Sequence, residues 1–341
     1  WGLDPVTYAN PARAGIRSLT KWSRTSLPAP VVAQIRDMRQ MQNVLTLIAN
    51  PERADLDTDH IAAARAALRD AGAKLGEAAW LNPGIAADIP FSDGDEQRVR
   101  DNLGTALNHH PLDWAVLPVA GRRKKLLVAD MDSTIITVEC IDEIADCVGL
   151  KDKVAAITEA AMRGELDFVG ALRQRVAMLR GLAESELERV FRERVKLTPG
   201  AETMIRTMNA HGAKTVLVSG GFTFFTDRVA KLVGFQVTRA NRLEIVDGKL
   251  TGEVIPPIVD AATKLDTLNE FIASDGLQRR DTIAVGDGAN DIPMIEAAGL
   301  GVAFHAKPKA AAAADVAIRN GDLTALLYLQ GFRREDFPGE A

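Results

Sequence analysis

The chain has 341 residues, 47% of them hydrophobic and 5% aromatic, with a formal net charge of −5 at pH 7. This length is enough for two or three domains with substantial cores. The negative charge and the few aromatic side chains argue against nucleic-acid binding, and no apolar run approaches the ~20 residues of a membrane-spanning helix. Composition therefore predicts a soluble protein without nucleic-acid or membrane partners.

The cysteine and histidine patterns favour a cytoplasmic protein without a zinc site. Cys140 and Cys147 lie seven residues apart on one face of a predicted helix, which is typical of reduced, packed thiols. The five histidines form no cluster with the spacing of metal ligands.

Residues 1–42 are predicted to be an N-terminal extension. The first 36 residues contain one acid, Asp4, and five basic residues: Arg13, Arg17, Lys21, Arg24 and Arg36. Such a bias can mimic a transit peptide. An exposed extension or an upstream-misplaced start explains it better, and we assign no function to it.

Residues 43–119 alternate between strand and helix patterns in the order βαββαβ, which fits a ferredoxin-like α+β unit. The predicted elements are strands at 44–48, 77–81, 86–90 and 114–117 and helices at 61–71 and 96–107.

A buried-type strand, Leu126 to Ala129, is followed directly by Asp130 and Asp132. Because ligands of open α/β sheets sit beyond the carboxyl ends of the strands, both acids should project into a crevice. Two carboxylates this close repel each other unless a cation or a shared proton intervenes, and we favour a divalent metal. Asp is also common in turns, so this pair alone is a weak signal.

Two later strands end in a similar way. Residues 215–218 run into Ser219-Gly220-Gly221, and residues 282–285 run into Gly286-Asp287-Gly288-Ala289-Asn290-Asp291. Glycines let the backbone approach an oxyanion, and N–H groups at a following helix start favour phosphate. Between the first two strand ends, residues 138–196 have helical periodicity and predict a small cap.

In type and order, these motifs resemble the haloacid dehalogenase-type phosphatases: Asp-x-Asp-Ser-Thr at 130–134, Ser-Gly-Gly at 219–221, an intervening Lys264, and Gly-Asp-Gly-x-Asn-Asp at 286–291. The resemblance covers about two thirds of the chain. It implies an α/β fold in residues 120–341, with a Rossmann-like parallel sheet and the helical cap over its strand ends.

The resemblance implies a phosphatase mechanism with a covalent intermediate. Asp130 would attack phosphorus to form an aspartyl-phosphate, and Asp132 would act first as general acid and then as general base. It also implies Mg²⁺, held by Asp130, the backbone carbonyl of Asp132, and Asp287.

The remaining motif residues would bind phosphate or orient the metal ligands. Ser219, the backbone near Gly220, and Lys264 would hold the phosphoryl oxygens. Asn290 and Asp291 would orient the groups around the metal, and Asn290 would also contact the substrate. On periodicity alone, Lys264 would be a solvated helix lysine, and Lys249 is its competitor. Asp291 could also cap the helix that begins near Ile292-Pro293, a role compatible with orienting the metal ligands.

Within the cap, residues 135–142 (Ile-Ile-Thr-Val-Glu-Cys-Ile-Asp) resemble the phosphoserine phosphatases. Glu139 would then bind the substrate ammonium and Arg175 its carboxylate, with Arg163, Arg173 and Arg180 as rivals. Met162 and Phe168 would close the pocket; ordinary packing is their alternative role.

The implied reaction is hydrolysis of O-phospho-L-serine to L-serine and phosphate, the final step of serine biosynthesis. One alternative is a phosphatase for another small ester such as phosphohomoserine or phosphothreonine. Another is a phospho-Asp signalling protein, which the cap and Asp132 argue against.

Bacterial phosphoserine phosphatases often carry a sensing module of the ACT type, and residues 43–119 resemble a divergent one. Such modules commonly bind a ligand through a glycine-bearing loop, whereas residues 50–55 contain no glycine. A serine effector, a homodimer and a purely structural role all stay open.

Overall fold

The computed structural model describes residues 41–162 and 165–339, without the side chains of Ala155 and of residues 158–162. The predicted N-terminal extension lies outside this part of the chain, apart from its last two residues.

Residues 43–118 form an antiparallel sheet covered by two helices. The strand order is β2-β4-β1-β5, with β3 also pairing with β4. The elements are β1 (Asn43–Ala49), α1 (Thr58–Asp70), β2 (Ala73–Leu75), β3 (Ala79–Asn82), β4 (Ala86–Asp93), α2 (Glu96–Leu107) and β5 (Leu112–Pro118). This is the strand order of a ferredoxin-like unit, and the predicted fold class is confirmed. The sequence patterns missed β2, which is only three residues long.

The residues of β1 alternate between the two faces of this sheet. Leu45 and Leu47 are buried in a cluster with the apolar sides of α1 and α2. Thr46 and Ile48 point the opposite way, and Ile48 joins the main core of the following part of the chain. Both faces of the N-terminal sheet are therefore covered by protein.

Residues 126–318 contain the second sheet, in the order β12-β11-β10-β6-β7-β8-β9. Neighbours from β12 to β8 are parallel, and β8 and β9 are antiparallel. The strands are β6 (Leu126–Ala129), β7 (Lys214–Phe222), β8 (Val237–Val246), β9 (Lys249–Ile255), β10 (Thr282–Gly286), β11 (Gly301–Phe304) and β12 (Val316–Ile318).

Helices pack on both faces of the second sheet. They are α7 (Ala201–Ala210), α8 (Thr223–Val233), α9 (Ala261–Ser274), α10 (Ile292–Ala297), α11 (Pro308–Ala313) and α12 (Ala325–Leu329). The central strand β6 is apolar throughout because Leu127 and Ala129 join the core on one face while Leu126 and Val128 join the core on the other. The predicted Rossmann-like parallel sheet is confirmed.

The helices between β6 and α7 are α3 (Cys140–Cys147), α4 (Lys151–Met162), α5 (Phe168–Ala177) and α6 (Glu184–Glu193). The stretch of chain that leads into this helical segment and the stretch that leads out of it lie side by side, joined by an antiparallel β-bridge between Ile136 and Leu197. Asp167 caps α5 by accepting a 2.6 Å hydrogen bond from the N–H of Gly170.

The hairpin between β8 and β9 turns at Asp247 and Gly248. Both have positive φ, 50° and 70°, as a two-residue type I′ turn requires. Lys249 lies exposed at the start of β9, away from the strand ends that carry the acidic motifs. Among the described residues, no helix combines the length and apolarity that crossing a lipid bilayer requires.

Arg122 ties the two sheets together. Its guanidinium binds both carboxylate oxygens of Asp88 on β4, at 2.5 and 2.8 Å, and donates to the Thr46 hydroxyl at 2.6 Å. It also donates to the carbonyls of Tyr328 and Leu329 on α12, at 2.9 and 2.7 Å. The ion pair is nearly enclosed, so each charge depends on the other for its solvation.

A second link runs from Asp113 on β5. This buried carboxylate accepts hydrogen bonds from the backbone N–H groups of Arg319, Asn320 and Gly321, the loop that follows β12. The N-terminal sheet therefore holds a loop at the carboxyl edge of the parallel sheet.

Replacing Arg122 by methionine should lower the free energy of unfolding by about 3 to 5 kcal/mol, because the buried carboxylate of Asp88 would keep only the Thr46 hydroxyl and lose its cation. Denaturant unfolding measures this. Arg100→Met is the matched control, since the Arg100–Glu96 pair is exposed and its loss should cost at most about 1 kcal/mol. Equal, small effects of the two substitutions would contradict the assignment of Arg122 as the principal tie.

Candidate active site

Three neighbouring parallel strands, β10, β6 and β7, bring the predicted site residues to one edge of the second sheet. Asp130 follows β6, and its N–H donates to the Val285 carbonyl of β10 at 3.0 Å. Ser219 lies on β7, and Asp287 follows β10. The motifs that are far apart in sequence therefore share one crevice.

Lys264 on α9 lies at the centre of this crevice with no exposed surface. Its Nζ is 2.7 Å from Asp130 Oδ1 and 2.6 Å from Asp291 Oδ1. Burial alone would lower the pKa of Lys264, but the two carboxylates outweigh it and hold this pKa above its ordinary value. The structure thus places Lys264 in the site and not on a solvated helix face.

Asp291 is bound at both of its oxygens. Oδ1 accepts a hydrogen bond from Lys264 Nζ, and Oδ2 accepts hydrogen bonds from the N–H groups of Asp287 and Gly288 at 3.2 and 2.9 Å. It precedes α10 without a side-chain hydrogen bond to that helix. Its carboxylate therefore shapes the 286–291 turn.

The acids of this crevice carry more negative charge than Lys264 can balance. Asp130, Asp287 and Asp291 are all buried, with one carboxylate oxygen of each within 4.8 Å of the others. Burial, followed by the charge of Asp291, raises the pKa of Asp130 well above its ordinary value and also raises that of Asp287. Close, buried carboxylate oxygens suit a hard divalent cation, which would relieve their mutual repulsion.

Asp132 is held by two hydrogen bonds. Its Oδ1 accepts the backbone N–H of Cys140 at 2.9 Å, and its Oδ2 accepts the hydroxyl of Ser219 at 3.0 Å. Burial is the main cause that raises the pKa of Asp132. A carboxyl group in this environment retains a proton more readily than an exposed one.

The Ser219-Gly220-Gly221 segment differs from its predicted conformation. We expected the strand to end at Val218, but β7 continues to Phe222, and its pairing with β8 shifts register between these two residues. Helix α8 begins only at Thr223. The backbone N–H groups at this point therefore belong to an irregular strand and not to a helix start.

Both glycines of this segment leave room for neighbouring side chains. A Cβ on Gly221 would lie 2.7 Å from Asp132 Oδ2 and 3.0 Å from Ser219 Oγ. A Cβ on Gly220 would lie 3.2 Å from the ring of Phe168. Phe168, at the start of α5, thus reaches from the helical segment to the strand end.

Glu139 stands just before α3 and faces the acidic crevice. The hydroxyl of Ser133, a residue with a left-handed φ of 54°, donates to its Oε1 at 2.8 Å. Desolvation, and then the charge of Asp132, raise the pKa of Glu139 to about 7. Its protonation state is thus set by the same crevice.

Arg175 on α5 is half-buried, and its Nε donates to the Ala171 carbonyl at 3.3 Å. Burial lowers its pKa, an effect opposed by the charges of Asp142 and Glu139. The charge of Glu139, after that of Asp142, therefore acts on the guanidinium of Arg175.

The other arginines proposed as rivals do not share this position. Arg173 is exposed, and Arg180 pairs with Glu253 at 3.3 Å. Arg163 and the side chain of Met162 lie outside the described residues. Asn290 is half-buried beside Gly288, in the turn that also carries Asp287.

Two contacts of this site were not anticipated from the sequence. Ser133 belongs to the Asp-x-Asp-Ser-Thr motif, so its proximity to Glu139 could have been suspected. The backbone N–H of Lys307 donates to the Asp287 carbonyl at 3.0 Å. The sequence could have indicated this contact of Lys307, because residues 301–304 form a further strand, β11, that ends at the same edge of the sheet.

The family model described as "haloacid dehalogenase-like hydrolase" matches residues 127–296, the stretch that contains the acid pair after the central strand, the buried lysine and the acidic turn. The protein of Albidiferax ferrireducens named phosphoserine phosphatase is 51% identical over 210 residues, which are 60% of this chain and 89% of the relative. The Streptomyces coelicolor protein of the same name is 40% identical over 323 residues, 92% of this chain and 78% of the relative. The chain belongs to the phosphoserine phosphatase family within these hydrolases.

A solved structure supports the assignment over most of the chain. The unliganded probable phosphoserine phosphatase from Vibrio cholerae superposes with a TM-score of 0.72 at 33% identity. The match covers 89% of this chain and 94% of that one. It therefore extends beyond the parallel-sheet part into the N-terminal sheet.

Gly221→Ala should lower phosphatase turnover by about 100-fold, because the new Cβ would displace Asp132 or Ser219 from the arrangement described above. Steady-state kinetics measures the loss, and circular dichroism checks that the variant is folded. Gly104→Ala is the control, since a Cβ there meets nothing within 4 Å and alanine is the better helix former. Unchanged turnover in the Gly221 variant would show that Asp132 and Ser219 tolerate displacement.

Proposed function

We propose that this protein hydrolyses O-phospho-L-serine to L-serine and phosphate through an aspartyl-phosphate intermediate. The observation that carries the substrate assignment is the position of Glu139 beside the Asp130–Asp132 pair, since the N–H of the next residue, Cys140, binds Asp132. The opposite charge of Arg175 interacts electrostatically with Glu139. A phosphorylated amino acid needs an anion for its ammonium and a cation for its carboxylate. The two residues supply one of each, next to the groups that can perform the chemistry.

Asp130 is the proposed nucleophile. Lys264 and the N–H of Met131 both bind its Oδ1, at 2.7 and 2.8 Å, so Oδ2 is the oxygen that attacks phosphorus. The ammonium of Lys264 has three N–H donors. Two of them face Asp130 and Asp291, and the third is left for a phosphoryl oxygen. Ser219 and the backbone at Gly220 supply further donors where negative charge develops.

Asp132 is the proposed proton carrier. Its burial favours the protonated form, which can donate to the departing serine oxygen. The resulting carboxylate then takes a proton from the water that attacks the aspartyl-phosphate. The Cys140 N–H stabilises this carboxylate through its hydrogen bond, and the Ser219 hydroxyl does so whenever its single proton is not donated to a phosphoryl oxygen.

The acidic crevice would hold Mg²⁺ through Asp130, the carbonyl of Asp132, and Asp287. The fit rests on the buried carboxylates within 4.8 Å of one another and on their raised pKa values. When bound, the cation supplies charge neutralisation for the phosphoryl group. Asp291 and Asn290 would orient the turn that presents Asp287, and Asp291 does so through its bonds to the backbone.

The helical segment at about 138–196 is proposed as the cap that selects the substrate. Phe168 touches Gly220, so it can close the pocket over the short carbon skeleton and exclude water. Met162 is proposed for the same wall. The resulting arrangement has the reacting end of the substrate on the sheet and its amino-acid end on the cap.

The remaining assignments extend this proposal to the whole chain. We propose an ACT-like unit at 43–119 and a phosphatase unit at 120–341, acting in the cytoplasm at the final step of serine biosynthesis. Both faces of the N-terminal sheet are covered, which supports a structural role for that unit. A serine effector and a homodimer remain hypotheses.

Phosphate release should be strongly selective for L-phosphoserine over phosphothreonine, phosphohomoserine and glycerol phosphate, and should be lost on chelation of divalent cations. Asp130→Asn should abolish turnover because an amide oxygen is a poor nucleophile. Arg175→Ala should reduce selectivity to a weak, general activity, since the carboxylate anchor is lost. A phosphate-release assay on the purified chain measures all three.

Arg173→Ala is the matched control for Arg175, because it lies on the same helix and faces solvent. Metal-dependent turnover that ignores phosphoserine would retain the catalytic mechanism and refute the substrate. A stable phosphoprotein without turnover on any ester would instead support the phospho-Asp signalling alternative.

The pH dependence of kcat/KM should report Glu139. Its pKa is raised to about 7, so it becomes an anion, and can pair with the substrate ammonium, only as pH rises through that region. kcat/KM for phosphoserine should therefore rise with pH up to about 7. Bound Mg²⁺ would move this limb lower, because the charge of Asp132 contributes to the shift.

The same limb should be absent in Glu139→Gln and for glycerol phosphate, which has no ammonium. Glu143→Gln, four residues further along in α3, is the control that should retain it. Identical pH limbs for both substrates would mean that Glu139 does not recognise the ammonium.

A further inference from the structure

Two histidines of the N-terminal unit meet although they lie far apart in the sequence. His60 is the third residue of α1, and His110 follows the end of α2. Their Nε2 and Nδ1 atoms are 2.9 Å apart, and the rings stand edge to face with centroids 4.5 Å apart. The histidine spacing in the sequence did not predict this pair.

Two imidazole nitrogens cannot point bare lone pairs at each other over this distance. Either one ring donates an N–H to the other, as a neutral imidazole can, or a metal ion is shared by both nitrogens. His60 is mostly enclosed, while His110 is exposed, so solvent and solutes reach the pair from the His110 side.

Asp57 can select the form of His60 that binds a metal. Its Oδ1 is 2.7 Å from His60 Nδ1, close enough to stabilise a proton on that nitrogen and leave the Nε2 lone pair directed at His110. In the metal-free tautomer, Nδ1 instead accepts the backbone N–H of Asp57 at 3.3 Å, and Nε2 can donate to His110.

We propose that His60 Nε2 and His110 Nδ1 hold a borderline divalent transition-metal ion such as Zn²⁺ or Ni²⁺, with Asp57 orienting His60 and water filling the other positions. Imidazole nitrogens are preferred ligands of these ions. Metal–nitrogen bonds of about 2.0–2.1 Å at a tetrahedral angle place two nitrogens about 3.3 Å apart, so the rings must separate by about 0.4 Å. His110 lies in the short connection between α2 and β5, where such a shift is small.

This site lies in the N-terminal unit and does not depend on the proposed phosphatase reaction. An ion there would link the start of α1 to the end of α2, next to Ile61 and Leu107 of the N-terminal core. It would therefore stabilise the packing of the two helices on their sheet.

The test is isothermal titration of the full chain with Zn²⁺, and separately with Ni²⁺, in excess Mg²⁺ so that the acidic crevice is occupied. The wild type should bind one more equivalent than His60→Ala or His110→Ala. His109→Ala is the matched control, because it removes an exposed neighbouring imidazole and should bind like the wild type. Zn²⁺ should also raise the melting temperature of the wild type and the control only.

Asp57→Asn separates metal binding from folding, because asparagine caps a helix as well as aspartate but carries no charge. It should weaken the extra site by about tenfold. If His60→Ala fails to fold, the exposed His110 decides the result. Equal binding by the wild type, His110→Ala and His109→Ala would overturn the proposal. The contact between His60 and His110 would then be an ordinary N–H···N hydrogen bond without a metal ion.

Discussion

The buried ammonium of Lys264 is the interaction around which the parallel-sheet site is organised. Asp130 and Asp291 would repel each other strongly in so enclosed a place, and the lysine between them makes their proximity tolerable. Asp291, once held, binds the N–H groups of the turn that presents Asp287. One cation thus connects the proposed nucleophile of one strand end to the acidic turn of the next.

Lys264 neutralises only part of the negative charge in this site, and the remaining charge is relevant to the chemistry of the site. Asp287 and Asp132 add negative charge that Lys264 does not neutralise, and burial raises the pKa of each. A site that is short of positive charge favours a divalent cation and a phosphate whose own charge is shared among several donors. The proposed reaction therefore uses an imbalance that the folded chain already contains.

Sequence patterns predicted the elements whose local signal is strong. Strand β6 was predictable because it is apolar on both faces. The turn at Asp247-Gly248 was predictable because few residue types accept the positive φ values that such a turn requires. Strand β2 was missed since three residues carry no period, and the extension of β7 was missed because Ser-Gly-Gly is typical of a loop.

The site was predictable in its motifs but not in its long-range contacts. Periodicity alone would have placed Lys264 on the surface; only family resemblance pointed to its role, because its burial depends on two carboxylates from other elements. The Arg122–Asp88 tie and the His60–His110 contact likewise join residues whose local sequences contain no sign of each other. Such contacts are properties of the assembled fold.

The place of β6 in the middle of its sheet has a consequence for synthesis on the ribosome. This strand is made before its two neighbours, and β10 follows only after the cap helices, β7 to β9 and α9 have been made. Until then, one edge of β6 lacks its partner, and Asp130 lacks Asp291, while Lys264 on α9 is made only shortly before β10. The nascent chain therefore cannot complete its most acidic region until late in translation, and that interval is when chaperones would have most to protect.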